Sequence, residues 1–500
     1  MNRNLVNSET ISLIRNIEGN LAAKNIESYI VGGLVRDILI GRETADIDIT
    51  VAGDARKIAE KISEIFNGRY VLLDDKNKVA RIILFNKEKS PFEISYVLDF
   101  SSFSETIEKD LARRDFTIDA MAIELSEFTK DVRNITIIDP FNGRKDLDRN
   151  RIRAVSDSIF SEDPARLLRA VRLAGELGFS IDQDTEDLVK KEARLLVGVP
   201  GERTRDELLR LLAIRGAGEI IRYLDELGLL TAIVPELEES RDLEQPKEHH
   251  WNVLEHSFAT VNALEYLLGE GKWLYTDGGI RNTVPRPDEI LEHLDREVSS
   301  GSTRKSILKL SALLHDIGKP GTKSVDENGR TRFLGHSKEG AALVTGRLEK
   351  LRFSSREIKL IETEIIHHMR PTQLSQEGMP SDRAVYRYFR DTGQAGLDIL
   401  YLNLADHLAT RGPDLDITSW QEHIKLVEYL LEKYFKRENV INPPKIIDGY
   451  DIMKSFGLSP GPQIGELLDA VKEAQASGEL ADKEQALAYL KETYRLKGLS

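Results

Sequence analysis

The chain of 500 residues contains no cysteine. That excludes a disulfide framework and any thiolate metal site, and it suits a reducing compartment such as the cytosol. No run of ~18 apolar residues occurs, so no segment is predicted to span a membrane. Residues 1–20 also lack the apolar stretch of a secretory signal. Excess positive charge is absent too: 70 Lys and Arg against 84 Asp and Glu leave a net charge of −14. This argues against binding nucleic acid through a uniformly basic surface and leaves room for a local basic patch. There is no internal repeat, heptad array or low-complexity tract. What is present, 40% hydrophobic and 31% charged residues, is the balance of a folded chain rather than a disordered one. The length suggests three or four domains of ~100–200 residues each.

The patterning changes once along the chain. Residues 1–150 read as mixed α/β: a helix over 11–24, a strand at 28–31, a glycine pair, a helix over 35–40 and a strand at 46–51. Further β-prone runs lie at 70–73, 79–85, 92–98, 120–125 and 135–138. Beyond 151 helical periodicity takes over, through 164–178, 204–215, 217–229, 253–268, 305–316, 337–352, 356–368, 395–410, 418–436, 463–477 and 483–495. The fold class is therefore an α/β head with a mixed sheet, followed by an all-α body. Polar and Pro-rich links divide it into a head (1–150), a helical neck (151–235), a helical domain (236–440) and a tail (441–500). Residues 269–304, rich in Gly, Asp, Pro and Ser, read as a surface insertion or mobile loop.

The most informative stretch runs from Tyr29 through Gly32-Gly33-Leu34-Val35-Arg36-Asp37 to Asp46-Ile47-Asp48-Ile49. Side chains alternate along a strand, so Asp46 and Asp48 point to one face and Ile47 and Ile49 to the other. Two carboxylates so close repel unless a cation lies between them, and magnesium takes oxygen ligands while bridging to phosphates. Gly32 and Gly33, opening a helix, let backbone N–H groups approach a polyphosphate with no Cβ in the way. Alone, the Asp pair reads better as a solvated edge strand with a tight turn. With the glycines and Arg36-Asp37 upstream, strand, turn and helix converge on one place.

These residues resemble the active-site signature of the polymerase-β-type nucleotidyltransferases. In the form G-G-x-V-R-D they resemble the bacterial (class II) tRNA nucleotidyltransferases, or CCA-adding enzymes, and the related poly(A) polymerases. The resemblance implies that Asp46 and Asp48 hold Mg2+ ions that activate an RNA 3′-hydroxyl and neutralise the departing pyrophosphate, with Glu93 as a third carboxylate. It implies that Gly32, Gly33 and Arg36 belong to the nucleotide site. In Arg113-Arg114-Asp115-Phe-Thr-Ile-Asp119 it implies arginines on the triphosphate and Asp115 on the ribose hydroxyl; Asp119 stands where the family usually has Asn. Glu162-Asp163-Pro164-Ala165-Arg166 matches E-D-x-x-R, which implies that Asp163 and Arg166 read the base edge of CTP or ATP, with Arg169 and Arg172 continuing the ladder. Asp163 and Arg166, three apart, are expected on one helix face; an acceptor beside a forked donor matches a Watson–Crick edge. Arg203 and Arg205 fall in a neck motif read as structural. Residues 144–172 carry eight basic and five acidic side chains, a local +3 inside an acidic chain.

A second constellation lies in the helical body: His256, then His315-Asp316-Ile-Gly-Lys, then Asp406. Imidazole and carboxylate suit a divalent metal. The H…HD…D order resembles the HD phosphohydrolases, which hydrolyse phosphate esters with a metal-bound water; the metal there is Mg, Mn, Ni or Fe. His336 and His367 or His368 fall where dinuclear members place further histidines. The tail, Ile446 to Leu468, is similar to the tRNA-binding unit of such proteins. The expected partners are thus the tRNA 3′ end, CTP and ATP, and no membrane. Poly(A) polymerases typically carry a basic-aromatic segment after the D-x-D strand, which Asn77–Phe85 lacks. Full CCA-adding members carry a longer loop with a D-x-R-R-like element between the third carboxylate and the arginine pair. Here Ser95–Asp110 contains no arginine, a feature of CC-adding members. CCA addition is the main reading, with CC addition alone, poly(A) addition and an HD phosphohydrolase as the main activity as its alternatives.

Overall fold

The computed structural model describes residues 8–85, 94–130, 135–275, 279–375, 378–436 and 441–496. The chain divides into two compact units, residues 1–199 with 227–229, and residues 200–226 with 230–500. The compact division thus falls at 199 rather than at 150. Backbone bonds tie the first neck residues to the head: Thr117 N–H donates to Arg153 O at 2.9 Å and Val155 N–H to Asp115 O at 3.0 Å.

In the first unit the elements run α1 (Ser8–Ala22), β1 (Ser28–Val31), α2 (Gly33–Ile40), β2 (Asp46–Ala52), α3 (Ala55–Phe66), β3 (Arg69–Asp74), β4 (Val79–Phe85), β5 (Ile94–Phe103), α4 (Ile107–Leu111), β6 (Ala122–Glu124), α5 (Leu125–Lys130), α6 (Gly143–Asp148), β7 (Arg151–Ile152), α7 (Ile159–Glu162), α8 (Arg166–Leu177), β8 (Ser180–Ile181) and α9 (Gln183–Glu192). Six strands form one mixed sheet in the order β3-β4-β5-β2-β1-β6. β2 pairs parallel with β5, and the other neighbours are antiparallel. Alternation sets its two faces: Ile47, Ile49, Ala80, Ile82, Leu98 and Phe100 are buried, and α3 packs over β3, β4 and β5. α3 presents Ala55, Ala59, Ile62 and Ser63 inward, and the Asp54 carboxylate caps its start by accepting from Arg56 N–H. The sequence pattern anticipates no helix here, because three small or polar side chains form that buried stripe. Residues 135–138, expected as a strand, contribute one isolated bridge, Ala122 with Ile138.

The second unit is helical. Its core is built on Val253–Leu268, Arg304–Leu314, Ser355–His367 and Ala395–Arg411, which pack on one another. Ala395–Arg411 is buried from Ala395 continuously to Ala405, as a helix surrounded by others must be. Three of these starts are specified locally: Asn252, Thr303 and Ser354 accept from backbone N–H groups three residues on. Residues 269–304 differ from the expected mobile loop. They form helices Gly279–Thr283 and Asp288–Asp295 and a short hairpin, and bury Trp273, Ile280, Val284, Ile290 and Leu294. His293 Nε2 lies 3.0 Å from Asp398 Oδ1, and Trp420 Nε1 donates to Thr283 Oγ1 at 3.1 Å. Their polar composition masks a few well-placed apolar anchors. The tail helices Gly449–Phe456, Pro462–Ala476 and Lys483–Leu496 enclose a small core of their own around Ile452, Val471 and Leu490. Among the described residues no helix is long and apolar enough to cross a membrane.

Candidate active site and metal centre

In the head, Val31 of β1 pairs with Asp48 of β2, so the chain turns at Gly32 directly beside that carboxylate. Gly32 has φ +68°, and a Cβ there would lie 2.9 Å from Arg114 Nη1 and 3.0 Å from Asp48 Oδ2. Both the angle and the space call for glycine. Asp46 is exposed and Asp48 half-buried on the open face of β2. Burial pushes the Asp48 carboxyl up to about 6, with Arg114 opposing the rise and Asp99 adding to it. An all-oxygen donor pair on a strand, beside bare backbone at a helix start, fits a hard divalent cation that also carries phosphate. Glu93 lies outside the described residues.

The arginines are held from below. Asp110 of α4 reaches Arg113 Nη2 at 2.6 Å and Arg114 Nη2 at 3.5 Å. Asp115 meets Arg169 Nε at 2.5 Å; burial would raise its carboxyl, and Arg169 and Arg166 together hold it below the usual range. Arg36 is 8% exposed and turns inward. Its Nε donates to Asp37 at 2.8 Å and its Nη1 to Asp119 at 2.7 Å, while Nη2 lies beside Gly33. This accounts for Asp119: its second oxygen lies 3.6 Å from Arg169 Nη2, and a carboxylate answers two guanidiniums where an amide would not.

Asp163 and Arg166 are not on one helix face. Asp163 is extended, with φ −146° and ψ 93°, because the following Pro164 disfavours the helical region. It caps the next turn instead, Oδ1 accepting from Ala165 N–H at 3.3 Å, and α8 begins at Arg166. Arg166 donates to Ile159 O at 3.3 Å and Arg113 O at 2.9 Å. Arg172 is buried against Glu176, at 2.9 Å.

In the second unit the dispersed residues converge. His256 comes from Val253–Leu268, His315 and Asp316 from the end of Arg304–Leu314, His336 from the start of His336–Lys350, His368 from the end of Ser355–His367, and Asp406 from Ala395–Arg411. His256 Nε2 is 3.0 Å from Asp406 Oδ1 and 3.5 Å from Asp316 Oδ2. His315 Nε2 is 3.2 Å from Asp316 Oδ2, and His336 Nε2 is 3.4 Å from Asp316 Oδ1 and from His368 Nε2. Two sets, His256 with His315 and Asp406, and His315 with Asp316 and His368, bring their ligand atoms within 4.8 Å of one another.

Local backbone fixes the rings. The Nδ1 atoms of His315, His336 and His368 each face the carbonyl three residues back, at 2.9, 2.8 and 2.7 Å. With Nδ1–H donating there, each Nε2 turns a lone pair inward. His315 Nε2 is buried without a hydrogen-bond partner and faces the Asp316 carboxylate, a costly arrangement that a cation would relieve. Burial lowers His256 and brings His368 down to about 4, which favours the neutral imidazole a metal needs. Gly318 makes the geometry possible: a Cβ there would lie 2.2 Å from His336 O. His368, not His367, joins the cluster. His367 is half-buried and faces Arg370 and Asp391.

Sequence reasoning missed Asp110, Asp99 and Lys319. Lys319 Nζ lies 2.6 Å from Asp316 Oδ2 and donates to Gln245 Oε1 at 2.6 Å; its spacing of three from Asp316 was available as a signal. It lines a cavity of about 490 Å³ over the cluster, with His249, Arg332 and Asn403.

Comparison with known proteins agrees with this arrangement. Residues 28–153 match the Poly A polymerase head domain family and residues 253–411 the HD domain family. The chain is 33% identical to the A-adding tRNA nucleotidyltransferase of Deinococcus radiodurans, covering 92% of this chain and 94% of that protein. It is 31% identical to the CC-adding tRNA nucleotidyltransferase of Thermus thermophilus, covering 93% of each. The fold is similar to that of the Thermotoga maritima CCA-adding enzyme complexed with tRNA, with TM-score 0.59 at 22% identity over 98% of this chain and 97% of that one. It is similar also to a CCA-adding enzyme in complex with CTP, with TM-score 0.62 at 23% identity over 98% and 96%. With the head site and the buried histidine cluster in place, these relatives show that the chain belongs to the tRNA nucleotidyltransferase family and carries an HD domain.

Proposed function

We propose that this chain lengthens the 3′ end of tRNA by transferring CMP from CTP at the head site, and that it stops after the second C. The single observation that carries the stop is the connection after β5. The strand runs to Phe103 and α4 starts at Ile107, so three residues stand where a specificity-switching loop would lie, and residues 94–112 contain no arginine.

Asp46 and Asp48 are the residues that would hold Mg2+; the bound ions supply a more acidic 3′-hydroxyl and charge neutralisation on pyrophosphate. The chain's own groups do the rest. Gly32 and Gly33 admit the triphosphate against the start of α2, and Arg113 and Arg114 bind it as forks steadied by Asp110. Asp115, kept ionised by Arg169, accepts from a ribose hydroxyl. Asp163 and Arg166 read the base edge, Arg166 fixed by two backbone carbonyls. The absence of cysteine fits work in the cytosol.

The test is addition by purified protein to three tRNA transcripts, ending at the discriminator base, after one C and after two Cs, with CTP, ATP or both. Two cytidines added and the third transcript inert to ATP is the expected result. A added to the third transcript overturns the stop. A added there with no C added elsewhere makes this an A-adding enzyme, the activity named for the Deinococcus relative.

A second reading, compatible with the first, rests on the paired ligand sets of the HD domain. There His256, His315, Asp316, His336, His368 and Asp406 would hold one or two divalent metals for phosphate-ester hydrolysis. Metal-dependent phosphate release that His315→Ala abolishes would support it, and release unaffected by that change would count against it.

A further inference from the structure

The turn after helix Val253–Leu268 builds a cavity that no motif of the sequence marks. Gly269 ends the helix with φ +85°, and the N–H groups of Glu270 and Gly271 both donate to Glu265 O, at 2.8 and 3.2 Å. A Cβ on Gly271 would stand 3.0 Å from the Glu265 side chain, so the chain doubles back closely over the helix it has left. This reversal brings Trp273, Leu274 and Tyr275 to one face of that helix, where Glu255, Ala259 and Asn262 lie four and three residues apart. Helix Ala217–Glu226 supplies Glu219 and Arg222, and packs so near that a Cβ on Gly218 would collide with Asn262. Trp251, just before the Asn252 cap, completes the lining of about 210 Å³ of space.

The lining is aromatic, and its rings stand steeply to one another instead of stacking. Tyr275 meets Trp251 with centroids 5.4 Å apart at 64°, and Trp273 at 5.1 Å and 73°. Leu274 and Tyr275 are exposed, an apolar lip kept in water. Buried indoles ordinarily give their N–H to an acceptor, as Trp420 does to Thr283. Here the Nε1 atoms of Trp251 and Trp273 are both buried without a hydrogen-bond partner, and Trp273 as a whole is 6% exposed. The charges, by contrast, cancel. Arg222 holds Glu255 through both terminal nitrogens, at 3.0 and 2.7 Å, and Glu219 accepts from Asn262 Nδ2 at 3.2 Å. With Lys272 the lining carries two cations and two carboxylates, so neither a phosphate nor an ammonium ion meets a net opposite charge. A flat, neutral group with acceptor atoms on its edge fits these walls: it stacks on one ring, meets another edge-on and answers the indole N–H groups. The space is below the ~300 Å³ at which pockets for larger ligands begin, and so suits one small ring system. Unpaired nucleobases are recognised in this way, by stacking on aromatic side chains with hydrogen bonds to their edges.

We propose that this cavity binds one unstacked nucleobase, presented by an RNA strand or by a free nucleotide. The site lies wholly within the second unit, and it uses none of the residues assigned to the head or to the histidine cluster.

Trp251, Trp273 and Trp420 are the only tryptophans and all belong to the second unit, so intrinsic fluorescence reads this cavity and not the head. The purified full chain is titrated with a tRNA transcript, with cytidine and adenosine, and with ribose 5-phosphate, which carries no base. Quenching by the transcript, by the nucleosides or by both is the expected result, with none from ribose 5-phosphate. Quenching by the transcript alone identifies an RNA strand as the source of the base, and quenching by the nucleosides alone a free nucleotide. Tyr275→Ala, which removes an exposed ring, should weaken the binding about tenfold, the scale of one lost stack. Trp251→Phe keeps a ring and loses an N–H, and should weaken it about threefold. Absence of quenching by every base-carrying ligand overturns the inference. Equal quenching by ribose 5-phosphate, or unaltered affinity in Tyr275→Ala, overturns it as well. No readout here requires incorporation of CMP, so failure of the nucleotidyl-transfer reading would leave the result standing.

Discussion

The two sites of this protein reach a metal by opposite means. In the head, the candidate ligands Asp46 and Asp48 come from three consecutive residues of one strand and lie on an open face, where a substrate's phosphates would complete the coordination. In the HD domain six candidate ligands come from five segments and lie inside the protein, four of them at most 1% exposed. Three of their imidazoles are aimed by backbone carbonyls in advance. A substrate-completed site needs little preorganisation and can sit at a strand edge. A protein-completed site needs an entire helical core to hold it.

The sharpest break between the two comes from removing the head ligands. Asp46→Ala with Asp48→Ala should lower CMP incorporation by ~10³-fold or more, while the metal content of the purified protein, measured by elemental analysis, stays as it was. Appreciable residual incorporation would place the catalytic site elsewhere. In the reverse direction, His315→Ala should weaken metal retention by at least about 100-fold and leave CMP incorporation within about twofold. It should also erase the rise in Tm that added metal gives the unaltered protein. Loss of both activities together would mean that the two sites are not independent.

How far each site could be read in advance follows from the same contrast. Asp46, Asp48, Gly32 and Gly33 announce themselves because alternation along one strand and one turn is local information. The helix Val253–Leu268 is visible to the residue, since its apolar face and its Asn252 cap lie together in the sequence. The place of Asp99 beside Asp48 is not visible, because it depends on β2 pairing in parallel with β5 across a crossover. Asp163 is misjudged by spacing alone: three residues from Arg166 suggests one helix face, and Pro164 between them forbids it. In the histidine pair the 3.6-residue period sets His367 and His368 ~100° apart, but which of the two faces the cluster is decided by the packing of Ser355–His367 against Ala395–Arg411.

That selection gives a finer test of the protein-completed site. His368→Ala should lower the bound metal from its full value, because His368 Nε2 lies 3.4 Å from His336 Nε2 within the cluster. His367→Ala should leave metal content unchanged and cost less than about 0.5 kcal/mol in stability, as a half-buried side chain with no buried partner group allows. Equal loss in both variants would show that the cluster collapses through the helix end rather than through a lost ligand.

The smallest effect sharpens the substrate-completed side. Asp163→Ala should reduce the preference for CTP over ATP by roughly tenfold in the ratio of kcat/KM, the scale of one lost base-edge contact, with less change in the affinity for triphosphate. Because Asp163 also caps the turn through Ala165 N–H, the alanine variant alone mixes recognition with loss of a cap, worth ~1 kcal/mol. Asp163→Asn separates them. Asparagine keeps an acceptor oxygen for Ala165 and replaces the other oxygen with a donor. If capping is all that matters, the asparagine variant regains the preference. If the carboxylate reads the base, the preference stays lost while thermal stability returns.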